Sequence, residues 1–124
     1  MSNHGRPLSP HLSVYRWPVT MAASISHRAS GLVLAAGLVV FAWWLVALAG
    51  DAADYRAFAN LAQSIPGRLA LLAFSAAFFY HLANGIRHLV WDLGYGFELP
   101  TANASAWFVF VLTVVLTAGF WVAL

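Results

Sequence analysis

The residues that could do chemistry fall into two clusters. One lies in "YHLANGIRHLVWD", Tyr80 to Asp92, directly after the apolar stretch "RLALLAFSAAFF". Polar groups at membrane depth are costly and mark functional sites. His81 and His88 are seven residues apart. Two helical turns take about 7.2 residues, so they share a face. Gly85 lies on that face with Asn84 beside it, and a glycine has no side chain to hold off a flat ligand. The second cluster is Ser24, His27 and Arg28, with Gly31 continuing the same helical face. A neutral imidazole within a membrane is a natural iron ligand, which points to a b-type haem. Cations one or two turns away can neutralise haem propionates. Serine and arginine donors suit the carbonyl oxygens of a quinone, and a histidine or carboxylate can pass protons to it.

Plainer roles compete for the same residues. His81 can hydrogen-bond to a neighbouring helix. Arg87, His88 and Asp92 can form a snorkelling helix end. Asn84 suits interhelical bonding, and Met21 suits packing. Trp91, Trp107 and Trp121 need no role beyond the aromatic belt. His4 and His11 are expected to be solvated.

The elements that position these groups are membrane helices. Of 124 residues, 62% are hydrophobic and 8% charged, where a soluble domain carries about 25% charged residues. Mean hydropathy is +0.77. Three apolar runs reach the roughly 20 residues that span a bilayer. The first helix is expected over about 21–49, with Thr20 as cap. The second is expected over about 69–91, with Ser64 as cap, Pro66 in the first turn and Gly94 as the stop. The third is expected over about 104–124, capped by Asn103 or Thr101. The fold class is therefore all-α, one three-span membrane-anchor domain. Residues 1–20, with prolines at 7, 10 and 18, read as an extended arm. The connection "GDAADYRAFANLAQSIPGR" has Tyr55, Phe58, Ala59 and Ala62 at helical spacing, which fits a short interfacial helix.

Depth then separates the histidines. Counted from Leu69, His81 is about 18 Å into its span, near the midplane. Ser24, His27, Arg28 and His88 are expected nearer one surface. A haem held by two histidines needs two deep ones on facing helices, and this chain offers one. Either the second ligand comes from another polypeptide or the iron is five-coordinate. Three spans also close a poor pocket. Both points call for a partner membrane subunit.

Other classes are excluded or disfavoured. Net charge is +2, from six arginines and no lysine, too little for a nucleic-acid surface. With no cysteine, the chain forms no disulfide and holds no iron–sulfur cluster by thiolates. No G-x-G-x-x-G turn is present. A small transporter would show repeats, and none is found. The N-terminus lacks the apolar core of a signal peptide and the character of a transit peptide, which leans to a bacterial inner membrane over a mitochondrial one. Arginines number four on the side of the N-terminus and second loop and two on the other. That bias puts the N-terminus in the cytoplasm.

Two motifs resemble a known family. "RPLSPHLSVY", Arg6 to Tyr15, with "SISHRASG", Ser24 to Gly31, is similar to the first signature of the cytochrome b membrane anchor of succinate dehydrogenase. "HLANGIRHLVWDLG", His81 to Gly94, is similar to its second. The resemblance covers essentially the whole chain. It implies a four-subunit succinate:quinone oxidoreductase in which a flavoprotein oxidises succinate and an iron–sulfur subunit passes electrons to the membrane. Two hydrophobic anchors then hold haem b and ubiquinone. By position, it implies His81 as axial haem ligand, with the other histidine from the sister anchor. It implies His27, Arg28 and His88 near the propionates, and Ser24 and Arg28 at the quinone. Asp92 and Glu98 are acidic groups on the same side, suited to proton supply or to ion pairs with neighbouring subunits. A fumarate reductase anchor is a close variant, and a haem-free structural anchor is the rival reading.

Overall fold

The computed structural model describes residues 16–124; the motif Arg6–Tyr15, His4, His11 and most of the expected arm lie outside them. The described chain contains α1 (Val19–Ala49), α2 (Ala52–Gln63), α3 (Ile65–Asp92) and α4 (Leu99–Ala123), with no strand among the described residues. The all-α expectation holds. Helices α1, α3 and α4 are each long and apolar enough to cross a membrane.

Each long helix starts earlier than its apolar run. Pro18 is extended (φ −70°, ψ 151°) and its carbonyl accepts from the amides of Met21 and Ala22. Thr20 thus lies inside the first turn and caps nothing. Ser64 does cap α3, its hydroxyl accepting from Gly67 N at 3.2 Å. The helix is already formed at Ile65, with Pro66 in the first turn, where a missing amide proton is harmless. Pro100 likewise sits in the first turn of α4, which begins after Glu98 and not at Thr101 or Asn103. The reason is general: hydropathy measures the oily part of a helix, while the helix itself runs on into the polar layer. Near the C-terminal end of α3, Gly94 adopts φ +88°, a conformation that costs other residues a clash at Cβ.

The three long helices form an antiparallel bundle with α3 touching both others, and α1 also meets α4. Contacts along α1 and α3 run in opposite directions. Tyr80 meets Ala23, His81 meets Ser30, and Phe74 lies over Gly37. A Cβ at Gly37 would overlap the Phe74 ring, so this glycine allows the helices to approach. Between α3 and α4 the pairs are Arg87 with Ser105, Tyr80 with Phe110, and Ser75 with Trp121.

The buried hydrophobic residues are mostly small: Ala23, Ala47, Ala83, Ala102 and Ala106, with Tyr80 and Val109. Large apolar side chains such as Leu38, Val46, Leu89 and Val114 point outward. That inversion suits a membrane, where lipid competes for large apolar groups and small residues permit close backbone packing. Short α2 is capped by Asp51, whose Oδ1 accepts from Ala53 N at 2.8 Å and Asp54 N at 3.0 Å. It packs on α1 and α3, and Phe58 meets the Trp43 edge at 5.0 Å between centroids.

Candidate functional site

The site is assembled from one turn and a half of α1 and two turns of α3. Three imidazoles form its centre. The His27 and His81 rings are stacked, centroids 4.0 Å apart and 12° from parallel. His88 lies tilted on the other side, 5.1 Å from His27, and the Trp91 ring meets His88 edge-on at 5.2 Å.

This geometry corrects the expected depth separation of His81 from the His27 layer. His81 is eleven residues before the end of α3 and His27 eight residues after the start of α1. Those distances are about 16 and 12 Å, and side-chain reach closes the small difference. The stack carries a second consequence. An imidazole binds a metal in the plane of its ring, along a nitrogen lone pair. Two rings stacked face to face at 4.0 Å cannot lie on opposite sides of one iron. Among the described residues, no three His, Cys, Asp or Glu groups converge on a metal position.

Hydrogen bonds fix the His81 ring. Its Nδ1 is 3.1 Å from Ser30 Oγ and 3.3 Å from the His27 carbonyl oxygen. Ser30 Oγ in turn donates to that same carbonyl at 2.8 Å. Gly31 lies against the ring edge, where an added Cβ would stand 3.2 Å from His81 Cε1. Beside Gly85 an added Cβ would meet only His27 Cε1, at 4.0 Å, so the His27 ring of α1 is what lies over this glycine. His27 Nδ1 is buried and has no hydrogen-bond partner among the described residues.

Arg87 turns away from this face and is buried at 7% exposure, not the snorkelling helix end that its position allowed. Its Nε donates to Ser105 Oγ at 2.8 Å, Nη2 to the Ala102 carbonyl at 3.1 Å, and Nη1 to Asn84 Oδ1 at 3.3 Å. The guanidinium also covers the Trp91 ring at 3.9 Å. Consecutive helical residues differ by about 100° in direction, so His88 can face α1 while Arg87 faces α4. Fully buried Asn84 joins the two, its Nδ2 lying 3.3 Å from His88 Nε2. It bridges within α3 and does not bond to another helix.

Ser24 is half-buried and Arg28 exposed on the α1 side of the site. Asp92 and Glu98 are exposed at the last residue of α3 and the cap position of α4. A cavity of about 440 Å³ between α3 and α4 is lined by Phe74, Phe78, Phe120 and Trp121 among others. Another of about 260 Å³ lies beside Arg87 and Trp91. Neither is lined by a histidine, and both lie away from the stack.

Two residues of the site escape a reading by motif. Ser30 stands at the start of an apolar run and looks like part of it. Tyr80 donates its hydroxyl to the Ala23 carbonyl at 2.7 Å. Its signal was the burial spacing of Tyr80, Ala83, Asn84 and Arg87, one continuous helical face.

Comparison with known proteins identifies the family of the chain. Residues 2–120 match the family model described as "Succinate dehydrogenase/Fumarate reductase transmembrane subunit". The chain is 44% identical over 117 residues to the succinate dehydrogenase cytochrome b556 subunit of Rickettsia felis, covering 94% of this chain and 91% of that one. It is 40% identical over 119 residues to the mitochondrial cytochrome b560 subunit of Homo sapiens, covering 92% and 69% respectively. With matches of that extent from end to end, this chain belongs to the succinate dehydrogenase/fumarate reductase transmembrane subunit family.

Proposed function

We propose that this chain is the cytochrome b anchor of a succinate dehydrogenase, that it shares one haem b with a second anchor subunit, and that it helps bind ubiquinone. The observation that carries the reading is the state of His81. Its Nδ1 is engaged by Ser30 and the His27 carbonyl, and nothing among the described residues bonds its Nε2. A histidine ligand held in this way has its ring oriented and one nitrogen free for the metal. The donor set fits haem in two further respects. Gly85 has no side chain on the face where the His27 ring lies over α3, and the buried Nδ1 of His27, without a partner among the described residues, suits an acidic group such as a propionate. Arg28 and His88 supply the neighbouring cationic or polar surface.

Haem b, when bound, supplies a one-electron carrier within the membrane. His81 would offer Nε2 to it from this chain, and His27, whose ring is stacked on His81, is not placed to serve as a second ligand. The sister anchor is left to supply that ligand. Ser24 and Arg28 offer a hydroxyl and a guanidinium to a quinone carbonyl oxygen at the same end of the bundle. Reduction of ubiquinone to ubiquinol takes up two electrons and two protons. The electrons come from the iron–sulfur subunit, which receives them from the flavoprotein. The exposed carboxyls of Asp92 and Glu98 stand at the aqueous end to supply protons. The arginine bias supports an N-terminus in the cytoplasm of a bacterium, with the complex in its inner membrane.

The deciding experiment replaces His81 with Leu and records the reduced-minus-oxidised spectrum of the purified complex. Loss or shift of the haem band is expected; an unaltered band refutes the ligand assignment and leaves a haem-free anchor. Ser24→Ala and Arg28→Ala are expected to slow quinone reduction while sparing succinate oxidation by an artificial acceptor.

A further inference from the structure

We propose that Ser30 is a positioning residue that fixes the proton of His81 on Nδ1 and so reserves Nε2 for the iron; this rests on His81 being a haem ligand. The argument is a count of protons. Ser30 has one hydroxyl proton, and its Oγ donates to the His27 carbonyl oxygen at 2.8 Å. Its oxygen is then free only to accept. His81 Nδ1 lies 3.1 Å from that oxygen and 3.3 Å from the same carbonyl, and a carbonyl oxygen has no proton to give. Nδ1 therefore faces two acceptors. A proton on Nδ1 satisfies both, whereas a bare lone pair there would oppose an oxygen lone pair. A neutral imidazole with its proton on Nδ1 has its lone pair on Nε2. Ser30 is buried at 6% exposure, so water is a poor substitute for it.

Two neighbours make the setting rigid. The His27 ring covers one face of His81 at 4.0 Å, and Gly31 lies against its edge. The ring is therefore held against turning, and Ser30 adds the nearer of the two acceptors, at 3.1 Å against 3.3 Å for the carbonyl, that draw the proton to Nδ1. An acceptor on Nδ1–H makes the imidazole a stronger electron donor to a metal. That favours ferric over ferrous iron and lowers the haem potential. Outer-shell partners of this kind typically change metal affinity about 10- to 100-fold.

The test compares Ser30→Ala with Ser30→Thr in the assembled complex, by potentiometric titration of the haem band. Ser30→Ala is expected to retain a haem spectrum, raise the midpoint potential and release haem at least about tenfold more readily. Ser30→Thr, which keeps the oxygen, is expected to restore both. A parallel measurement uses ¹⁵N spectra of His81 in haem-depleted protein. Wild type is expected to show protonated Nδ1, and Ser30→Ala, left with only the His27 carbonyl at 3.3 Å, a larger share of the form protonated on Nε2. An unchanged potential in Ser30→Ala overturns the proposal. So does haem loss in both variants with the His81 proton unmoved, since that outcome makes Ser30 a packing residue. An unaltered band in His81→Leu would instead refute the haem reading, while the ¹⁵N result reports on Ser30 independently.

Discussion

Replacing Arg87 with Met isolates the cost of breaking the α3–α4 polar node. The substitution keeps the length of the side chain and removes every donor. The Ala102 carbonyl and Ser105 hydroxyl still satisfy one another at 3.0 Å. Asn84 Oδ1 does not fare as well. It loses its Arg87 donor inside a fully buried side chain, and a buried unmatched acceptor costs about 1–3 kcal/mol. Loss of the guanidinium over Trp91 adds about 0.5–2 kcal/mol. Against this stands relief from burying a cation whose bonded partners are all neutral. Arg87 is five residues from the end of α3, so that relief is at interfacial depth and amounts to about 1 kcal/mol or less. The net loss is about 0.5–5 kcal/mol, to be read from denaturation of the detergent-solubilised protein. Arg87→Lys should recover less than half of it, because one ammonium cannot reach three diverging acceptors. Asn84→Leu combined with Arg87→Met should cost less than the sum of the single changes, since it removes the orphaned oxygen. A stability within about 0.5 kcal/mol of the parent for Arg87→Met, or full replacement by Lys, would refute the reasoning.

Two further perturbations test other parts of the fold. Gly31→Ala places a methyl 3.2 Å from His81 Cε1, while alanine improves helix propensity by about 1 kcal/mol; the expected result is retained stability with a shifted haem band. Gly119→Ala, where an added Cβ meets nothing within 4 Å, should give the helix gain and no spectral change. At Asp51, the amides of Asp54 and then Ala53 hold the carboxyl below its usual 3.8. A lowered native pKa means the cap is fully effective above 3.8 and is lost as pH falls through the native value. The protection of amides in the first turn of α2, taken relative to their intrinsic exchange rate at each pH, should therefore be flat from neutral pH to about 5 and fall in acid below 3.8. Asp51→Asn, which caps without titrating, should abolish that acid dependence.

The three spans could be read directly because about 20 apolar residues have few other uses. Their ends were hidden where the helix outlasts the oil: Ile65–Arg68 and Leu99–Asn103 are helical yet precede the apolar runs. Helical periodicity grouped Ser24 with His27 and His81 with His88, since it fixes which residues share a face. It does not fix how far each helix is rotated toward its neighbours. That is why nothing in the spacing placed Arg87 against α4, to which it bonds. Nor does it fix the vertical offset of two helices, which decides that His27 and His81 touch. Ser30 was obscured for a chemical reason: a serine can bond to its own helix, as it does to the His27 carbonyl, and only the arrival of His81 gives that bond a further use.

The separation of the site's two halves along the chain has a consequence for biogenesis. The carbonyl that orients His81 belongs to His27, 54 residues earlier. At a synthesis rate of about 5–20 residues per second, the second half emerges roughly 3–11 s after the first. During that interval α1 carries Ser30 and His27 with no imidazole to receive. A nascent chain stalled before α3 therefore has no assembled site to load, whatever the supply of pigment. On the proposed haem reading, cofactor capture becomes a checkpoint on insertion of the second span, and products truncated before it should leave the membrane colourless.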